Sequence, residues 1–185
     1  MAGHSKWAQI KRAKAVTDAA RSRTFSKFAR EITLESKKVG GSLSAPTLAA
    51  VIARAKAANM PKDNIERAVA KGISKDSGNL EEVVYELYGP QGVAVIVTAV
   101  TDSKNRTTQE IKHLLSKNGY ELGTPGSAAW AFSKSPNGRY TPTLPLMSVT
   151  GSDEERLSEL LTLLDEYEDV QEVFTNAEGY ESTRD

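Results

Sequence analysis

The sequence has no cysteine and only two histidines, His4 and His113. The first absence rules out disulfides, thiolate zinc sites and cysteine nucleophiles together. The second leaves too few ligands for a histidine-based metal cluster, so neither a metal nor a cofactor is expected. Long apolar runs are also missing. Nothing approaches the roughly 20 residues that span a bilayer, and a membrane is not an expected partner. The opening, Met1 to Trp7, is polar and basic and leads into no apolar core, unlike a secretory signal; the expected compartment is the cytoplasm. No nucleophile, base and orienting group stand together as a set, so the expected catalytic residues are none, and the chain does not read as an enzyme. Gly89-Pro90-Gln91-Gly92 and Gly123-Thr124-Pro125-Gly126 lack the lysine and spacing of a phosphate loop and read as turns.

What is present is a strong separation of charge. The chain has 185 residues, enough for one large domain or two small ones, and its formal net charge is zero. A chain of this length can remove roughly 70% of its extended surface from water without staples. Residues 1–72 carry 15 Lys and Arg against 5 Asp and Glu, a net of +10; residues 73–185 carry 9 against 19, a net of −10. Such asymmetry points toward a polyanionic partner. The competing reading is that the two halves attract each other.

The basic third reads as helices. Phe25, Phe28, Ile32 and Val39 fall at helical spacing between Thr17 and Val39, with Thr17 or Asp18 to cap the start and Gly40-Gly41 to end it. A second helix begins near Pro46, with Leu48, Val51, Ile52 and Ala55 on one face; a third runs from about Pro61 to Lys71. Residues 5–15 form either a short helix or an ordered arm. Residues 73–80 read as a linker. Beyond it, Val83–Tyr88 and Val93–Thr101 predict a hairpin, Asn105–Lys117 a helix, and Ser127–Phe132 and Leu146–Thr150 strands around an irregular Pro136–Pro145 connection. Asp153–Glu166 predicts an amphipathic helix and Val170–Thr175 a last strand. The fold class expected is α+β: a three-helix bundle over 1–72, a linker over 73–80, and a ferredoxin-like sandwich over 81–185.

Chemistry concentrates in Lys6, Lys11, Arg12, Lys14, Arg21, Arg23, Lys27 and Arg30. On helices these form local stripes, and Lys and Arg hold phosphate oxygens without needing a particular base. Trp7 among them either stacks on an unpaired base or anchors the N-terminal arm to the bundle. Residues 101–107 join a strand to a helix start. There Asn105 and Arg106 with the backbone N–H groups form a candidate anion site, unless the loop merely caps its helix. The acids of the 153–166 helix complement its dipole at the N-terminal end.

The opening Met1-Ala2-Gly3-His4-Ser5-Lys6-Trp7-Ala8-Gln9-Ile10-Lys11 resembles the start of the YebC/PmpR family. The resemblance continues through Phe25–Ile32, Ala57–Ala68, Tyr85–Pro90, Asn105-Arg106-Thr107, Gly123–Ser127 and Asp169–Asn176, nearly the whole chain in order. It implies a soluble protein without cofactor, a three-helix N-terminal domain followed by α+β domains, and a role as a DNA-binding transcriptional regulator. Relatives, including a mitochondrial translational activator, act at the ribosome. The family's basic surface maps to Lys6, Lys11, Lys14, Arg21, Arg23 and Lys27. Typical members insert a further domain where only Ser133 to Leu144 bridges two strands here.

Two functions from different classes of target follow. A transcriptional regulator binding duplex DNA would reach base edges in the major groove. A ribosome-associated translation factor binding ribosomal or transfer RNA would prefer a shaped, structured RNA backbone. A third class, an enzyme or small-molecule sensor, needs a pocket that no motif declares.

Overall fold

The computed structural model describes residues 6, 9–10, 17–75, 78–136, 138–143 and 145–180. Helix α1 spans Asp18–Lys38, and the Thr17 side chain caps it by accepting from the Ala20 N–H. After Gly40 and Gly41, both at positive φ, α2 runs over Pro46–Ala57 with proline in its first turn, and α3 over Lys62–Ile73. Their inward faces form one core from Phe28, Ile32, Leu48, Val51, Ala55 and Ile65. The closest approach is between α1 and α3. Thr33 and Ser36 donate to the Ala68 and Val69 carbonyls, and a Cβ on Gly72 would lie 2.6 Å from Ser36 Cβ and from Thr33 O. Only glycine lets these helices meet.

The second part is built on a three-stranded antiparallel sheet in the order β1 (Glu81–Tyr88), β2 (Ala94–Thr101), β5 (Val170–Thr175). Strand β2 is buried along its whole length because both sheet faces are covered. One face packs on α4 (Lys104–Lys117) and α5 (Ser152–Asp165) through Val95, Val97, Ile111, Leu115, Leu157 and Leu161. The other packs Ile96 and Phe174 against a small hairpin, β3 (Phe132–Lys134) and β4 (Tyr140–Pro142). The fold class is therefore α+β, three helices followed by a sandwich, as the sequence pattern predicts. The bundle core and the sandwich core share no residue.

Three local expectations change. Ser127–Ala131 is a turn and a short 3-10 helix rather than strand, because the Glu86 carboxylate gathers the N–H groups of Gly126, Ala128 and Ala129 at 2.7–2.8 Å. Only Phe132–Lys134 continues as strand, and its partner Tyr140–Pro142 lies in the stretch expected to be irregular. Leu146–Thr150 contributes one bridge, Met147 to Ala177, in place of a strand. The bridge segment that replaces the expected insertion is thus this tight hairpin.

Candidate nucleic-acid interface

Helical spacing places Arg23, Lys27 and Arg30 on one stripe of α1. That stripe faces the sandwich, and what it meets is carboxylate. Lys27 Nζ lies 3.2 Å from Asp165 Oδ1 and also donates to the Asp165 carbonyl. Arg23 reaches Glu166 at 3.7 Å. Arg30 donates to Glu168 Oε1 at 2.6 Å, to the Glu168 carbonyl at 2.7 Å and to Asp169 Oδ1 at 2.7 Å. Helix α5 has no basic residue in its last turn, although two acids sit at its negative end. The bundle supplies the cations that this helix end lacks. For these three residues the attraction between the halves is realised within the molecule.

Lys6, the described cation of the N-terminal arm, also turns to the sandwich. Its N–H donates to Gly179 O at 2.7 Å and its ammonium pairs with Glu154. Hydrogen bonding between the two raises the Lys6 pKa and lowers that of Glu154. Trp7, Lys11, Arg12 and Lys14 lie outside the described residues.

Arg21 differs from its neighbours on α1. It is exposed, and among the described residues its ion pair is with Asp18 of its own helix turn, at 3.5 Å. From α3, exposed Arg67 and Lys71 line the same open cleft, and Arg67 donates to Asn64 and to the Asp63 carbonyl. The cleft, about 970 Å³, separates the bundle from the sandwich. Its bundle wall holds Arg21, Ser22, Phe25, Asn64, Arg67 and Lys71. Arg67 and Lys71 are cations that sequence reasoning did not single out. Their i, i+4 spacing on α3 was the available signal.

The opposite wall is acidic. Asp169 is its hub: buried, with Arg30 on one oxygen and, on the other, Arg106 at 3.1 Å and the Thr107 hydroxyl at 2.6 Å. Burial opposes its charge, but the hydrogen bonds from Thr107 and Arg106 and the nearby Arg30 outweigh this and hold its pKa below the ordinary carboxylate value. Arg106 also pairs with Asp102 at 2.9 Å, and its hydrogen bond to Asp169 raises its pKa against burial. The Arg106 side of the candidate anion site therefore faces carboxylates. Asn105 stands in the first turn of α4, where the Ser103 N–H is held at 2.9 Å by Thr101 Oγ1. From the sequence, Asp165 and Glu166 stand only among the acids of the 153–166 helix, and Glu168 and Asp169 carry no charge role. Their density in one short segment, opposite in sign to the α1 stripe, was the sign to follow.

Such a molecule is a charge-segregated α+β protein: a cationic helical bundle held across a cleft against an acidic sandwich. Residues 5–75 match the TACO1/YebC protein N-terminal domain, and residues 80–137 match the TACO1/YebC second and third domain. The chain belongs to the TACO1/YebC family. It is 43% identical over 187 residues to a protein of Chromohalobacter salexigens, covering 100% of this chain and 74% of the relative. With a protein of Francisella tularensis subsp. mediasiatica it shares 46% over 181 residues, 97% of this chain and 68% of the relative. With one of Thermosipho melanesiensis it shares 51% over 136 residues, 72% of this chain but 54% of the relative. All three relatives bear the name "Probable transcriptional regulatory protein". The chain thus spans between about half and three quarters of their length. The crystal structure of a conserved hypothetical protein from Aquifex aeolicus matches with a TM-score of 0.76 at 29% identity, over 87% of this chain and 91% of that one. Among the described residues, no helix is long and apolar enough to cross a membrane, and no three His, Cys, Asp or Glu residues group to hold a metal.

Proposed function

We propose that the chain is a non-catalytic, cytoplasmic regulator of gene expression that binds nucleic acid through the phosphate backbone. The binding unit is residues 1–72 and the acidic unit 81–185. One observation carries this reading: of the cations on the bundle, Arg21, Arg67 and Lys71 gather on one exposed face and have no ion pair with the sandwich among the described residues. Lys11, Arg12 and Lys14 add to the same basic third. Lys6, Arg23, Lys27 and Arg30 belong to the phosphate-binding set as well, but each must first leave a carboxylate. Trp7 contributes a ring for stacking on an unpaired base.

The relatives' name favours a target in transcription, with duplex DNA as ligand. A second reading has its own support. The bundle's contact set is almost all Lys and Arg, which suits a shaped RNA backbone, as at the ribosome, better than base-edge readout in a major groove. The two are separated by crosslinking in cells followed by sequencing of both DNA and RNA: enrichment at promoters selects the first, enrichment at ribosomal or transfer RNA the second. Both rest on phosphate contact. Reversing Arg21, Arg67 and Lys71 to Glu should weaken binding to duplex DNA and to structured RNA by more than tenfold at moderate salt. Unchanged affinity for both would refute the assignment of this face.

A further inference from the structure

We infer that the acidic segment Asp165–Asp169 is an internal competitor of nucleic acid, occupying the α1 stripe of Arg23, Lys27 and Arg30 until a polyanion displaces it. The inference rests on the phosphate-binding reading above and adds its regulation.

Four carboxylates in five residues, Asp165, Glu166, Glu168 and Asp169, present a string of negative charge. Each is in contact with a cation of α1, at spacings that follow one helical face. The contact is sturdier than four chance surface pairs, since Lys27 and Arg30 also bind the Asp165 and Glu168 carbonyls. It is still made of polar groups at the edge of an open cleft, and the two apolar cores it joins share no residue. The Arg23–Glu166 and Arg30–Glu168 pairs have exposed carboxylates and are individually weak and screened by salt. A ligand carrying phosphates can begin the exchange there and then replace the more buried Lys27–Asp165 and Arg30–Asp169 pairs. A joint closed by a fused apolar core would not yield in this way. Here, separation exposes the three cations next to Arg21 on the same helix and enlarges the basic face. The closed arrangement holds affinity down; a long polyanion that spans the stripe opens it.

The test compares the full chain with the variant Asp165→Asn, Glu166→Gln, Glu168→Gln, leaving the buried hub Asp169 in place. A control, Glu121→Gln, Glu155→Gln, Glu159→Gln, makes the same change in net charge at exposed sandwich positions outside the acidic segment. Binding of duplex DNA and of a structured RNA hairpin is followed by fluorescence anisotropy across a salt series. The lock variant should bind at least tenfold more tightly than either other protein, with a log–log salt slope steeper by about 2, one step each for Arg23 and Lys27, since Arg30 keeps its bond to Asp169. Scattering in solution should show it more extended than the parent. Equal affinity and slope for lock variant and parent, with both binding, would overturn the lock alone. A gain matched by the control would reduce it to net charge and overturn it too. If parent and lock variant both fail to bind at low salt, the phosphate-binding reading falls and the lock with it.

Discussion

Asp169 gathers charges from both halves of the molecule. It takes hydrogen bonds from Arg30 of the bundle and from Arg106 and Thr107 of the sandwich, and is itself buried. Asp169→Ala would leave these donors facing an apolar gap, and we expect it to cost about 2–4 kcal/mol of stability in denaturant unfolding. Its pKa lies below the ordinary aspartate value of 3.8 in the folded chain. The unfolded state therefore takes up protons first as pH falls. The Asp169 contribution is complete above pH 3.8 and is lost as pH drops through the depressed folded value. Unfolding midpoints of parent and Asp169→Ala should converge at strongly acid pH and stay apart at neutral pH. Glu86 behaves alike: burial raises its pKa, but three backbone N–H groups prevail and lower it. Glu86→Ala should free the Gly126–Ala129 turn, seen as rapid amide exchange there, at a cost of about 2–3 kcal/mol.

At the scale of elements, the joint between α1 and α3 depends on Gly72. An alanine methyl would sit 2.6 Å from Thr33 O and Ser36 Cβ and 2.8 Å from Ser36 Oγ, and the backbone oxygen cannot swing aside. Gly72→Ala is expected to lower stability by about 1–3 kcal/mol and to shift α1 signals in NMR spectra, while leaving the sandwich unaffected. The helices themselves were legible. Each carries its own period and stops: Thr17 before α1, Gly40-Gly41 after it, Pro46 opening α2. The β1–β2 hairpin was equally local, with Glu81 to Tyr88 in register with Thr101 to Ala94. Ser127–Ala131 misled because its conformation is set by Glu86, about 40 residues earlier in the chain. Leu146–Thr150 misled for a similar reason: only Met147 finds a partner, in the Asn176 and Glu178 backbone. A β-propensity run becomes strand only where an edge is free to receive it.

For the whole molecule, charge was readable from sequence and pairing was not. The +10 of residues 1–72 and −10 of the remainder fixed the sign of each half. Which cations face outward depends on docking across 138 residues, as for Lys27 with Asp165, and no spacing rule reaches that far. Hence Arg23, Lys27 and Arg30 stood beside Arg21 in the sequence but meet acids in the fold. Arg67 and Lys71 took the places next to Arg21 on the cleft. The account rests on side chains that neutralise phosphates, and salt dependence counts such contacts. The decisive measurement is the affinity of the unaltered chain for duplex DNA and for structured RNA between about 50 and 200 mM salt. With about six phosphates neutralised, the log–log slope on duplex DNA should be about −5. Affinity that stays level across that range, on both nucleic acids, would contradict it.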